Sequence, residues 1–184
     1  MPAGVQYLAL LRGINVGGKN LVKMSELREA LEGMGLADVA TYIASGNFVF
    51  RAPRQKQAEL AGRLETGLSK RFGLELRLIL LTHAQLKRVV DEAPREFGAE
   101  MDRCDVIFLF KPLTAKRAMA AVEMKKGVDR AWTGTGVLYF SRLTAKATSS
   151  RMGRVIGKPE YKSMTIRSWG TTTKLLALLD SRAE

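Results

Sequence analysis

Tyr7 to Leu11 is apolar without interruption and ends at Arg12 and Gly13. A run this short, apolar at odd and even positions alike, predicts a buried strand over Val5–Leu11 that stops at a glycine turn. The period then changes. Leu27, Ala30, Leu31 and Met34 recur at helical spacing behind Ser25, which predicts a helix capped by Ser25 and stopped by Gly33 and Gly35. Val39–Ile43 and Phe48–Arg51 are rich in strand-forming residues, and Ala44-Ser45-Gly46-Asn47 between them is a hairpin signal. Leu60, Leu64 and Leu68 are spaced four apart, predicting a long amphipathic helix over Gln55–Phe72 that ends at Gly73. Glu75–Leu81 is a fourth strand.

The order β-α-β-β-α-β over residues 5–81 is that of a ferredoxin-like split βαβ unit. Thr82 and Gln85 form a capping box for a connecting helix through Glu92. The pattern then begins again. Asp105–Phe110 is an apolar strand, Thr114 caps a helix to Lys125, and Val128–Trp132 and Val137–Phe140 flank Thr133-Gly134-Thr135-Gly136 as a second hairpin. Thr41–Phe50 and Ala131–Phe140 share small-residue turns ahead of an apolar strand. The second half continues through a helix near Ala145–Met152, an exposed basic loop over Met152–Ser163, a strand near Met164–Arg167 and a helix from Trp169 to Leu179. The fold class is α+β: a tandem duplication of ferredoxin-like units with mainly antiparallel sheets. Its parts are residues 1–81, a connecting helix and linker over 82–103, and a second half over 104–184.

Charge changes the picture. Thirty Lys and Arg against eighteen acids leave a net charge of +12, which favours an acidic partner such as an anionic small molecule or nucleic acid. Cys104 is the only cysteine, so no intramolecular disulfide forms and a reducing cytoplasm is the expected location. No stretch approaches the length of a membrane helix, and no secretory signal opens the chain, so no membrane association is expected.

The first strand and first helix are joined by Arg12-Gly13-Ile14-Asn15-Val16-Gly17-Gly18-Lys19-Asn20, nearly a phosphate-binding G-x-x-x-x-G-K loop. Asn20 stands where the magnesium-binding hydroxyl belongs. No strand ends in a metal-holding aspartate either, which argues against an NTPase. A plain anion cradle remains, formed by Arg12, Gly13, Asn15, Gly17, Gly18, Lys19 and Asn20, with Lys23, Ser45 and Asn47 assisting. The bland alternative is that the glycines only let the backbone turn tightly.

A second candidate is the basic segment near the C-terminus. Arg151, Arg154, Lys158, Lys162 and Arg167, with Lys174 beyond them, are interleaved with Tyr161 and Trp169, a mixture that suits a phosphate backbone and stacked bases. The bland alternative is a solvated loop anchored by its two aromatics. If this segment lies beside the glycine-rich turn, the two form one site. Phe48 with Phe50, and Leu138 with Phe140, share strand faces as in RNA-recognition sheets, but the basic-Gly-aromatic signature is missing and core packing is the simpler reading. His83 has no partner at ligand spacing, so no metal and no cofactor is expected. Cys104 would be a nucleophile only if a base or a helix end activated it and otherwise reads as buried packing; Asp102 and Asp105 flank it, but a carboxylate pair without a cleft is weak evidence for acid–base work.

The motifs Leu10-Leu11-Arg12-Gly13-Ile14-Asn15-Val16-Gly17-Gly18, Lys23-Met24, Tyr42-Ile43-Ala44-Ser45-Gly46-Asn47 and Thr165-Ile166-Arg167-Ser168-Trp169, with Thr172, Lys174 and Leu175, resemble the bacterial domain-of-unknown-function family 1697. The likeness spans nearly the whole chain. It implies a cytosolic α+β protein of two ferredoxin-like halves and brings no established activity. The chain departs from the family pattern at Ser168 and Gly170, where asparagines are usual. The leading expectation is a protein that binds an anionic, phosphate-bearing ligand at Arg12–Asn20. The alternatives are a nucleic-acid-binding protein, RNA or DNA, that uses its basic surface, and an enzyme acting on a phosphorylated metabolite or nucleotide. No recognisable catalytic constellation supports the last.

Overall fold

A computed structural model describes residues 4–182. The chain forms two compact units: residues up to Leu86 together with those from Leu175 on, and residues Lys87–Lys174. Each is built on a four-stranded antiparallel sheet, so the protein is α+β.

In the first unit the elements are β1 (Val5–Arg12), α1 (Met24–Gly33), β2 (Ala37–Tyr42), β3 (Asn47–Ala52), α2 (Gln57–Phe72) and β4 (Arg77–Thr82). The strands lie in the order β2-β3-β1-β4, so the first strand is central and buried on both faces. One face carries Tyr7, Ala9, Leu11, Phe48 and Phe50 into a core shared with Leu27 and Leu31 of α1 and Leu60, Leu64 and Leu68 of α2. Burying three leucines of one helix is worth roughly 5–9 kcal/mol, against less than about 1 kcal/mol for an exposed pair such as Lys56–Glu59. The leucine stripe therefore holds α2. Gly73, in the left-handed conformation at φ +65°, ends it as its position predicts. Phe48 and Phe50 belong to this core and form no open platform for bases.

Helix α1 starts one residue before Ser25, and no side chain caps it. The preceding Val22 is tied through both its N–H and its C=O to the Asn15 side chain, so the chain enters the helix from that anchor rather than from a serine cap. In contrast, Thr82 and Gln85 form the predicted reciprocal box at the start of α3 (His83–Asp91), with Thr82 N–H donating to Gln85 Oε1 at 2.8 Å and Gln85 N–H to Thr82 Oγ1 at 3.3 Å.

The second unit contains β5 (Asp102–Leu109), α4 (Ala115–Ala121), β6 (Asp129–Gly134), β7 (Val137–Leu143) and β8 (Met164–Ser168), and its sheet order, β6-β7-β5-β8, repeats that of the first. Ile107, Leu109, Leu138 and Phe140 form its core with α4. Thr114 caps α4, but the helix stops at Ala121 rather than Lys125. Val122 turns extended to enter the core, and Lys125 N–H then donates to Asp129 at 2.9 Å. Tertiary packing here overrides helix propensity.

No α-helix forms over Ala145–Met152. Three 3-10 turns, Thr144–Ser149, Met152–Gly157 and Pro159–Ser163, run from β7 to β8 instead. The Ser150 hydroxyl accepts from Met152 N–H at 3.2 Å, a local bond that competes with helical backbone bonding, and Gly153, Gly157 and Pro159 interrupt the stretch beyond it. Nor is this segment only an exposed loop, because Met152 and Val155 are buried in the second core.

The last helix, α5 (Trp169–Asp180), begins in the second unit. Its spacing in the sequence places all of it in the second half, yet from Leu175 on, with Leu175 and Leu179 buried, it belongs with the first unit. Arg182 donates to Asp38, which also pairs with Arg51, and His83 bonds Asp180, so the end of the chain is tied to the first sheet and to the start of α3. No helix among the described residues is long and apolar enough to cross a membrane.

Candidate functional site

The glycine-rich loop is a miniature hairpin. Val16 and Lys19 pair in a single antiparallel bridge, with Lys19 N–H donating to Val16 C=O at 3.1 Å, and Asn15 N–H reaches Asn20 C=O at 3.2 Å one step further in. Gly17 and Gly18, at φ +58° and +73°, are the two central residues. Left-handed backbone at both positions is what a two-residue type I′ turn demands, and glycine supplies it. A P-loop would instead run straight into a helix N-terminus around its phosphate, whereas α1 begins only at Met24.

Three asparagines hold this shape. Asn15 is itself left-handed, and its amide donates to Val22 C=O at 2.9 Å and to Ala44 C=O at 2.7 Å while its carbonyl accepts from Val22 N–H. Asn20 Nδ2 donates to Gly13 C=O at 2.9 Å. Asn47, fully buried, donates to Tyr42 C=O and to Ser45 Oγ. The loop and the β2–β3 turn are thus one tied body. Gly46 completes the join: a Cβ there would stand 2.8 Å from Leu11 Cβ and 2.9 Å from Ile14 Cδ1.

What this scaffold offers to solvent is its tip. Neither the Gly17 nor the Gly18 N–H is hydrogen-bonded to another described residue, and Lys19 takes part in no ion pair among them. Lys23 is exposed and lies 3.6 Å from Glu26. Alongside stand apolar side chains that sequence reasoning passes over: Val16, Leu21 and Ile43 are 68%, 75% and 52% exposed. Ile43 also holds a left-handed φ of +49°, a conformation that costs a β-branched residue energy. Valine or leucine in a glycine-rich stretch carries no exposure signal of its own, so only the hairpin geometry reveals them.

The basic segment belongs to the second unit and is largely committed to its own structure. Arg154 and Lys158 both reach Glu123, at 2.8 and 3.5 Å, and this pairing holds the Glu123 carboxyl below the usual carboxylate range. Arg167 is buried and donates to Thr165 Oγ1 and Ile166 C=O; burial draws its guanidinium down to about 10. Trp169 packs edge-on to Phe97 at 5.1 Å, and Phe97 also touches Trp132 and Tyr139. Tyr161 packs on the second core. Arg151, Lys162 and Lys174 have exposed side chains.

Asp129 is the hidden organiser of this segment. Burial pushes its carboxyl up, but N–H donors at Arg151 and Lys125, each 2.9 Å away, the Ser150 hydroxyl and the nearby Arg142 charge outweigh burial and leave it below the ordinary aspartate value. Asp105, paired with Arg142 at 3.0 Å, is raised instead, because burial is its largest influence. Burial likewise raises the Cys104 thiol, which accepts from Gly98 N–H at 3.3 Å; such a thiol stays protonated and unreactive. No three His, Cys, Asp or Glu side chains among the described residues converge as a metal site would require.

The class is therefore an α+β protein with two four-stranded antiparallel sheets and an asparagine-braced glycine hairpin. A profile described as a protein of unknown function, DUF1697, matches residues 5–139, and the chain belongs to that family. The chain is also similar to the solved structure of the conserved bacterial protein SP0830 from Streptococcus pneumoniae, at 28% identity and a TM-score of 0.83, over 96% of this chain and 99% of that one. Among curated proteins none matches significantly.

Proposed function

We propose that the protein binds a phosphate-bearing anion at the Arg12–Asn20 hairpin, with the Gly17 and Gly18 N–H groups and Lys19 as contacts and Asn15, Asn20 and Asn47 as the scaffold. One observation carries this reading: two adjacent exposed N–H groups without partners among the described residues stand beside an ammonium that is unpaired among them. Oriented backbone amides and a cation together suit a phosphate oxygen. Among phosphate-bearing ligands, nucleic acid fits this tip best, because Val16, Leu21 and Ile43 beside the cations provide apolar contact for bases on an open surface. No catalytic step is proposed.

Anisotropy with a labelled single-stranded RNA, repeated over a salt series, tests the proposal. Lys19→Ala is expected to weaken binding about three- to tenfold and to flatten the log–log salt slope by about 0.7. Unchanged affinity and slope would remove the hairpin from the site. If the wild type binds inorganic pyrophosphate but not RNA, the single-anion form of the reading holds. The shared strand order also supports a tandem duplication of a ferredoxin-like unit, in which the second copy has lost its second helix, and we place the protein in the cytoplasm.

A further inference from the structure

In the second unit an open cleft of about 390 Å³ lies on the core side of the sheet, beside the first of the 3-10 turns. Arg103, Arg142, Thr148, Ser150 and Met152 line it. Arg103 and Arg142 are direct partners in the β5–β7 register and so share one face of the sheet. Like charges set directly opposite each other are unfavourable. Arg142 is answered by Asp105 through one nitrogen, Nη2, which leaves further N–H donors on its guanidinium. Arg103 is exposed and has no hydrogen bond or ion pair among the described residues, and the Thr148 hydroxyl has no partner among them either. Asp129, opposite Arg142 on β6, takes the amides of Lys125 and Arg151 on Oδ2, while its buried Oδ1 has no hydrogen-bond partner and its charge also acts on Arg142.

We propose that this cleft binds the phosphate group of a small phosphomonoester. Two planar guanidinium forks facing one space can each take two oxygens of a tetrahedral phosphate, a match that a single ammonium lacks. The anion would add to the relief that Asp105, which interacts with both arginines, already gives their like charges. Thr148 adds a hydroxyl donor, and Met152 adds an apolar wall for the organic part of the ligand. The volume lies near the small end of the ~300–1,000 Å³ range of small-molecule sites, so a metabolite rather than a polymer is the fitting occupant. The site shares no residue with the hairpin and does not depend on the reading given for it.

Calorimetric titration of the full chain with inorganic phosphate and ribose 5-phosphate, using ribose as the control, tests this. The wild type is expected to bind both phosphates at millimolar concentration or below and to ignore ribose. Arg103→Ala should weaken binding about ten- to hundredfold. Arg103→Lys, which keeps the charge but loses the fork, should fall between the two. Repeating the titrations in a Lys19→Ala background silences the hairpin, so the phosphate heat that Arg103→Ala then removes belongs to this cleft. Amide NMR shifts of Ser150–Gly153 on adding ribose 5-phosphate give a readout independent of any variant. Wild-type binding in Arg103→Ala, or no wild-type binding at millimolar ligand, would overturn the assignment.

Discussion

The two units lay their strands in the same order and cover one sheet face in different ways. In the first, α1 and the 16-residue α2 pack a continuous aliphatic stripe on Tyr7, Ala9, Leu11, Phe48 and Phe50. In the second, α4 has seven residues and the rest of the cover is a run of 3-10 turns. A long helix satisfies its own backbone and needs only an apolar face. A 3-10 run satisfies less, and here it is pinned from outside: Met152 and Val155 fill the core, and Asp129 takes the Arg151 amide. The pinned cover is also incomplete. Where it leaves the sheet uncovered, Arg103 and Arg142 line a cleft. The strand scaffold thus tolerates replacement of a helix, and the replacement trades self-sufficiency for an opening lined by polar groups.

Leu64→Ala in α2 is the harshest test of the first half of that contrast. A fully buried leucine on the stripe should cost about 2–5 kcal/mol, read as lowered urea resistance with loss of amide protection in β1 and β3. A loss under about 1 kcal/mol would mean that α2 is not what holds that face. Asp129→Asn tests the second half. It removes the charge that anchors the 3-10 run and should cost about 1–3 kcal/mol, with faster hydrogen exchange confined to residues 150–155. If protection is instead lost evenly across β5–β8, the run is not a separable cover and the contrast fails.

Acid probes the same anchor. The Asp129 carboxyl titrates below its ordinary value in the folded protein, so its contribution is present above the unfolded value of about 3.9 and is lost as pH falls through the folded one. Exchange at 150–155 in the wild type should therefore accelerate on acidification below about pH 4. In Asp129→Asn it should be fast already and show no such step. The smallest effect is expected at the hairpin tip: a Cβ on Gly18 meets nothing within 4 Å, so Gly18→Ala should cost only the left-handed backbone penalty of about 1 kcal/mol. A thermal-shift measurement suffices; a much larger loss would show that the tip supports the first core.

Much of the first unit is legible in the sequence because its signals are local. The leucine stripe of α2, Gly73 at its end and the Thr82–Gln85 box each lie within a few turns of chain, and periodicity reads such spacing directly. The glycine-rich loop is legible as a turn but not as a hairpin. G-x-x-x-x-G-K spacing does not reveal that Gly17 and Gly18 are both left-handed, or that the asparagines beside them bond to backbone. The stretch after β7 misleads: it reads as a helix near Ala145–Met152 followed by an exposed loop, whereas Met152 and Val155 are held by a core assembled from distant strands.

Alternation, period and composition are properties of short stretches, and from them alone come the antiparallel α+β scaffold, the repeated order of strands and the strong positive charge. Which charges are answered is settled at the tertiary level. Glu123 claims Arg154 and Lys158, while strand register sets Arg103 opposite Arg142 and leaves Arg103 with no hydrogen bond or ion pair among the described residues. Register and cover depend on which strands meet and what packs over them, and no local window of the chain contains that information.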